Sequence, residues 1–288
     1  MIICVVGPTG VGKTKMSVEL AKKYDAVILN CDSMQVYKDL NIGTAKVTEE
    51  EKCGVPHYLF DIVEPTEMYT VFDYQRDLRE KLEEFKNRNV VIVGGTGLYL
   101  KAGLFNYEFD LETDEGNNTY DDLTNEEIYE LLKKKDPNTD IHVNNRKRMI
   151  RALNRGEEKT HKDEMLYDAY IIGLTTSREK LYDRINKRVD IMVKDGLIEE
   201  VKALYDKGIR SKAIMTGIGY KELYDYFDGN ISLDEALELI KQRSRKYAKR
   251  QYTWFNNQMN VNWFQVDFDD FNNTIKEVEE YIDKREDN

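Results

Sequence analysis

The sequence predicts an α/β fold in which a parallel sheet is flanked by helices, with a short inserted lid and a helical second half. Three observations carry this expectation. Met1 to Val6 is a short apolar run with the β-branched residues of a buried strand, and Gly7-Pro8-Thr9-Gly10-Val11-Gly12-Lys13-Thr14 follows at once. That is G-x-x-x-x-G-K-T, a phosphate-cradling loop. A helical pattern comes next, with Met16, Leu20 and Ala21 on one face and Lys15, Glu19 and Lys22 off it. A second strand-like run, Ala26-Val27-Ile28-Leu29, then repeats the step, and such alternation builds parallel sheets with helices on both faces. Strand, phosphate loop and helix in this order make the core P-loop NTPase-like.

The loop has a defined chemistry. Its glycines let backbone N–H groups converge on phosphate oxygens at a helix N-terminus, where the helix dipole favours anions. Lys13 is expected to meet the terminal phosphate as a point charge, and the Thr14 hydroxyl to ligate Mg²⁺. A di- or triphosphate ligand follows; the loop alone leaves open which.

Further along, Asn30-Cys31-Asp32-Ser33-Met34-Gln35-Val36-Tyr37 leaves the second strand. Asp32 therefore sits at the carboxyl edge of the sheet, where ligands of this architecture bind. After a loop with Gly43-Thr44-Ala45-Lys46, Pro56 to Ile62 reads as a third strand and Thr70 to Phe85 as an amphipathic helix. Asn89 to Val93 is a clear strand that ends in Gly94-Gly95-Thr96-Gly97. Glycines there admit close approach to the backbone, and the position beside the phosphate loop makes this a ligand-facing turn. Tyr107 to Asp136 breaks the pattern and offers one short helix, Glu126 to Lys134. It reads as an inserted acidic lid, dividing a core of residues 1–106 and 137–288. Asn144 to Arg155 is a basic helix and Ala169 to Leu174 a strand returning to the sheet. Ser177 caps a helix to about Asp195 carrying Arg178, Arg184 and Arg188, and Gly196 to Gly208 is another. Gly217 to Lys221 turns into a further helix, Leu233 to Gln258 is long and basic, and Trp263 to Val266 is an edge strand before a C-terminal helix.

Bulk properties narrow the setting. Of 288 residues 34% are charged, and no apolar run approaches the ~20 residues of a membrane span. No membrane partner is expected. Three cysteines without metal-ligand spacing fit a reducing cytoplasm and a role as core filler. The net charge of −11 disfavours nucleic acid at face value, but its distribution does not. Tyr107 to Asp136 holds eleven acids against three bases, and Gln265 to Asn288 nine against three. In contrast, Ile141 to Thr160 has six bases against two acids, and Lys241 to Arg250 six bases and no acid. Such clusters suit a phosphate backbone as well as a solvated helix face.

Five stretches, joined by Gly219-Tyr220-Lys221, now point one way: GPTGVGKT (Gly7 to Thr14), DSMQVYKDLNIGTAK (Asp32 to Lys46), GGTGLY (Gly94 to Tyr99), RMIRAL (Arg148 to Leu153) and KRQYTWF (Lys249 to Phe255). Together they resemble the bacterial tRNA isopentenyltransferase (tRNA dimethylallyltransferase) family from Met1 to about Asn256. The resemblance implies transfer of a dimethylallyl group from dimethylallyl diphosphate to the exocyclic amine of the adenine 3′ of the anticodon. The phosphate loop would hold the leaving diphosphate, with Lys13, Thr14 and Mg²⁺ neutralising its charge. By match to the family, Asp32 is the general base for a weak amine nucleophile. Ser33, Met34 and Gln35 contact the adenine and its neighbours, and Thr96 bonds near the amine or the diphosphate. Lys147, Arg148, Met149, Ile150 and Arg151 touch the tRNA, Arg184 is a diphosphate ligand, and Lys241 to Lys246 lies along the anticodon stem. The target base must leave its stack to reach such a site, which an RNA loop allows.

One departure stands out. In the family the lid is longer and carries an arginine that reaches the tRNA; the corresponding Gly116 to Asp121 has no Lys or Arg. The grip on tRNA is therefore expected to fall to the two basic clusters. Rival functions fit less well. A small-molecule kinase would want an arginine-rich lid. Prenylation of free adenine nucleotides would use the same chemistry, but the basic second half favours a macromolecular acceptor. A non-catalytic RNA-binding protein has no need of Lys13, Thr14 and Asp32. A cytoplasmic monomer is expected.

Overall fold

The computed structural model describes residues 1–109, 120–139, 141–154 and 164–286. The chain runs β1 (Ile2–Val6), α1 (Lys13–Lys23), β2 (Ala26–Asn30), α2 (Glu49–Lys52), β3 (His57–Tyr58), α3 (Val71–Glu84), β4 (Asn89–Gly94) and α4 (Gly97–Leu104). There follow α5 (Asn125–Lys135), α6 (Arg146–Asn154), β5 (Ala169–Thr175), α7 (Arg178–Lys194), α8 (Leu197–Asp206) and α9 (Lys212–Thr216). The chain closes with α10 (Tyr220–Phe227), α11 (Leu233–Gln258), β6 (Asn262–Gln265) and α12 (Phe271–Glu286).

The six strands form one sheet in the order β3-β2-β4-β1-β5-β6, and every pairing is parallel. This is the expected α/β sheet. In β1, Ile3 and Val5 pack into one cluster with Met16, Leu20, Ile172, Leu174 and Val278. Cys4 and Val6 pack into another with Leu29, Tyr74, Leu78, Ile92, Leu100 and Phe255. Alternation of side chains across the strand thus feeds two cores, one per face. Coverage on both faces explains why β1, β2 and β4 read as continuous apolar runs. A third cluster joins α8 to α11 with the segment after β2, through Val36, Tyr37, Leu40, Leu197, Tyr220, Leu223 and Ile240.

Local signals set several helix starts. Ser232 accepts from the Glu235 amide while Glu235 reaches back to the Ser232 amide, and Thr70 with Asp73 does the same at α3. The third strand is shorter than the apolar run suggests. Leu59 and Asp61 take φ of 65° and 54°, outside the extended region, so pairing stops after His57–Tyr58.

The chain divides into two compact units, Met1–Phe105 with Met165–Asn288, and Asn106–Glu164. The second unit has its own small core of Ile128, Leu132, Ile141 and Met149, and α6 belongs to it. The lid expected at 107–136 lies within this unit, which continues to Glu164. Residues 110–119, including most of the Gly116 to Asp121 stretch, lie outside the described residues. Among the described residues no helix is long and apolar enough to cross a membrane. Cys4 and Cys31 are buried, Cys53 is exposed, and all three are free thiols.

Candidate active site

The phosphate loop joins β1 to α1. Gly12 stands at the head of α1 with φ 103° and no side chain to cap it, so the first helical N–H groups face the loop, ready for an anion. Pro8 has no N–H to offer an anion, and the Val11 side chain is fully buried. The Lys13 ammonium folds back to donate to the Gly7 and Pro8 carbonyls at 3.0 and 2.9 Å. Burial pulls its pKa down to about 8; the Asp32 charge opposes that shift and the Arg188 charge adds to it. Thr14 is half-buried in the first turn of α1.

Two arginines one turn apart on α7 reach the same loop. Arg184 Nε donates to the Gly10 carbonyl at 3.0 Å, and its guanidinium lies 3.9 Å over the Phe268 ring. Arg188 Nη1 donates to Thr9 Oγ1 at 3.3 Å. Spacing of four residues on one helix face brings both to the loop. Burial lowers the pKa of each, and Asp32 partly restores that of Arg188. Arg184 is the diphosphate ligand expected from sequence; Arg188 reaches the same loop without a motif that marks it.

Asp32 lies beyond β2 in a turn fixed by buried Asn30. Asn30 Oδ1 accepts the Asp32 amide at 2.9 Å, and Asn30 Nδ2 donates to the Asp32 and Leu59 carbonyls at 3.1 and 3.0 Å. Asp32 Oδ1 accepts the Met34 amide at 2.9 Å. The Gln35 Nε2 group donates to the Thr44 and Ala45 carbonyls at 3.0 and 3.2 Å. Those carbonyls follow a bend clamped by one carboxylate: Glu200 accepts the amides of Asn41, Ile42 and Gly43 at 3.0, 2.7 and 3.0 Å and the Tyr220 hydroxyl at 2.7 Å. Met34 packs against Gly217.

The turn after β4 completes the edge. A Cβ on Gly94 would lie 2.0 Å from the Cys31 carbonyl oxygen, so only glycine lets the two strand ends come this close. The Thr96 amide donates to that same carbonyl at 3.2 Å. Its hydroxyl accepts the Ser33 amide at 3.0 Å. Because β4 pairs with both β1 and β2, the phosphate loop, Asp32 and Thr96 leave three neighbouring strands at one sheet edge.

From α11, Gln251 accepts the Thr9 amide at 2.9 Å and donates to the Gly95 carbonyl at 3.0 Å. One turn earlier, burial pushes the Tyr247 phenol well up; the Asp32 charge adds to this, and hydrogen bonding to Thr96 and Gln251 pulls it back. Gln251 sits in the KRQYTWF stretch, and a polar residue at a core-facing helical position is the signal in the sequence that marks it.

In the second unit, Arg146 donates to the Leu123 and Tyr120 carbonyls at 2.7 and 2.6 Å and so holds α6 to its own unit. Lys147, Arg148 and Arg151 are exposed. Met149 is fully buried in the unit core, with Ile150 packed beside it. The Met149 side chain therefore faces the core of its own unit, while its neighbours Lys147, Arg148 and Arg151 lie at the surface. Arg155 and Lys159, of the same basic cluster, lie outside the described residues. In the other cluster Lys246, Lys249 and Arg250 are exposed, and the remaining three bases are engaged within the first unit. Lys241 pairs with Asp190 at 2.8 Å, Arg243 pairs with buried Glu222, and Arg245 donates to Asn186. Among the described residues there is no group of three or more His, Cys, Asp or Glu that could hold a metal.

The chain is similar to known proteins over most of its length. The IPP transferase family model matches residues 35–258. The tRNA dimethylallyltransferase of Anoxybacillus flavithermus is 47% identical over 298 residues, covering 98% of this chain and 96% of that protein. The crystal structure of a tRNA delta(2)-isopentenylpyrophosphate transferase from Staphylococcus epidermidis is similar with a TM-score of 0.76 and 40% identity, covering 99% of each chain. A eukaryotic dimethylallyltransferase acting on tRNA also has a TM-score of 0.76, at 28% identity over 92% of this chain and 73% of that one. Matched by the family model over most of its length and by relatives from end to end, the chain belongs to the IPP transferase family.

Proposed function

We propose that this protein transfers the dimethylallyl group of dimethylallyl diphosphate to the exocyclic amine of the adenine 3′ of the anticodon (position 37) in tRNA, giving N6-isopentenyladenosine. The observation that carries this reading is the convergence of the phosphate loop, Asp32 and Thr96 at the ends of adjacent strands β1, β2 and β4. A leaving-group cradle thus stands beside a carboxylate.

In the reaction the C1–O bond of the donor breaks and the diphosphate leaves with the electron pair. The amine nitrogen forms the new bond to C1 and gives up a proton, which Asp32 accepts as general base. Lys13, Arg184, Arg188 and the amides at the head of α1 face the charge that grows on the diphosphate, and fixed donors of this kind favour the transition state. Mg²⁺ fits as a partner of the diphosphate: it binds through few protein oxygens plus phosphate and water, and the Thr14 hydroxyl is one such oxygen. When bound, the ion would supply further neutralisation of the leaving group.

Thr96 and the Ser33 to Gln35 turn would orient the flipped adenine, and Lys147, Arg148 and Arg151 would meet the anticodon stem-loop backbone. Free thiols fit a cytoplasmic setting.

Labelled dimethylallyl diphosphate offered with total tRNA, AMP or ATP tests the proposal. Label is expected in tRNA alone. Label in AMP would move the acceptor to a free nucleotide, and γ-phosphate transfer from ATP without prenylation would make the protein a kinase.

A further inference from the structure

The KRQYTWF stretch has no role in the reaction above, yet three of its side chains converge behind the site. Phe255 is fully buried in the core beneath β4. Trp254 lies so close to Gly97 that a Cβ there would come 2.0 Å from its ring. Gln251 is buried and reaches both site loops at once, accepting the Thr9 amide at 2.9 Å and donating to the Gly95 carbonyl at 3.0 Å.

A primary amide suits that place. The Thr9 amide can only donate and the Gly95 carbonyl can only accept, so one group must offer an acceptor and a donor side by side. Glutamate lacks the donor, lysine lacks the acceptor, and methionine offers no donor and only a weak acceptor. A Cβ on residue 95 would lie 2.0 Å from Gln251 Nε2, so glycine at that position makes room for the contact.

We propose that Gln251 is a positioning residue that sets the diphosphate cradle at a fixed distance from the turn carrying Thr96, and so aims the C1 carbon of the donor at the acceptor amine. The inference rests on the prenyl-transfer reading and deepens it. Thr9 lies in the loop that holds the leaving group, and Gly95 directly precedes the residue that borders the acceptor. The carbon and the amine must meet within a few tenths of an ångström. A misplacement of about 1 Å costs on the order of 10²-fold in rate.

The consequence is specific. A donor that ionises while misaimed is open to water, which forms a C–O bond to C1 as the diphosphate leaves and loses a proton to solvent, giving dimethylallyl alcohol. Gln251→Met removes both hydrogen bonds at similar volume. Gln251→Glu keeps an acceptor for Thr9 and sets an oxygen against the Gly95 carbonyl. In both, prenylation of tRNA should fall by about 10–100-fold. Alcohol formed per prenylated tRNA should rise, and the KM for dimethylallyl diphosphate should change little. Simple loss of folded protein would lower both products together.

An unchanged product ratio in both variants overturns the proposal. So does a change confined to KM. Should neither variant fold, hydrogen exchange in the wild type decides: the Thr9 amide is expected to be protected, and exchange at the rate of an open loop overturns the proposal. A wild type that prenylates no tRNA sinks the reaction itself, and the Thr9 measurement still reads the contact.

Discussion

Thr96 heads α4 without capping it; its hydroxyl instead accepts the Ser33 amide at 3.0 Å and donates to Ser33 Oγ at 3.3 Å. Threonine at a helix start ordinarily satisfies its own helix, so this hydroxyl is given over to the neighbouring loop. Thr96→Val should strand the Ser33 amide and cost about 1–3 kcal/mol of stability. Turnover should fall with it. Thr96→Ser keeps both bonds and should retain most of each property; thermal melts and prenylation rates on the two variants check this.

Asp32 has a structural and a chemical task, and two substitutions separate them. Asparagine keeps an oxygen for the Met34 amide but takes no proton; alanine loses both. Each should lower turnover by roughly 10²–10⁴-fold, the range for a positioned base. Only Asp32→Ala should also lose about 1 kcal/mol of stability. Near-normal turnover in Asp32→Asn would remove the base from the mechanism.

Lys13 gives a pH signature. With its pKa pulled down to about 8, it sheds its proton well before an ordinary lysine at ~10.4 would. The charged form is the one that attracts diphosphate. Affinity for the donor is therefore complete below pH 8 and falls as pH rises through that value. Bound diphosphate raises the pKa again, so the effect belongs to KM and not to turnover at saturation. Lys13→Arg carries a cation that does not titrate in this range, and the rise in KM above pH 8 should disappear. A donor KM flat from pH 7 to 10 in the wild type would contradict this account.

The two basic clusters should behave differently when tRNA binding is measured against salt. Each phosphate contact on a single strand contributes a slope of about −0.7. Arg148→Ala with Arg151→Ala should weaken binding and flatten the slope by about two contacts' worth. Arg243 pairs with Glu222, whose side chain is 1% exposed. Its loss leaves a buried carboxylate uncompensated, at a cost of about 2–4 kcal/mol, near the lower end of what a fully buried pair shows. Arg243→Ala should thus lower the melting temperature and leave the salt slope nearly unchanged.

Parts of this molecule are legible residue by residue. The helix bounds Lys13–Lys23 and Leu233–Gln258 follow from the phosphate loop and from the Ser232 cap with Glu235. Asp32 and Thr96 could be placed near the loop because each follows a strand, and strand ends of a parallel sheet share one edge. The short β3 could not be foreseen, since left-handed turns at Leu59 and Asp61 leave no trace in an apolar run. The inward side chain of Met149 is hidden for a related reason: a motif match names residues without saying which face of the helix they occupy. Gln251, Tyr247 and Arg188 come from helices whose rotation is set by docking on the sheet, so their aim is a tertiary property.

The strand order bears on how the chain is made. β1 takes its partners from residues 89–94 and 169–175, so it keeps an unpaired edge until the segment at 169–175 has been synthesised. At 5–20 residues per second the wait is roughly 10–30 s. The 106–164 unit, with a core drawn from residues 128–149, can close within that interval. A chain stalled before Ala169 exposes one edge of β1, a ready template for pairing with other chains. Gln251 emerges later still, so the nascent protein can display a phosphate loop long before it can aim a substrate.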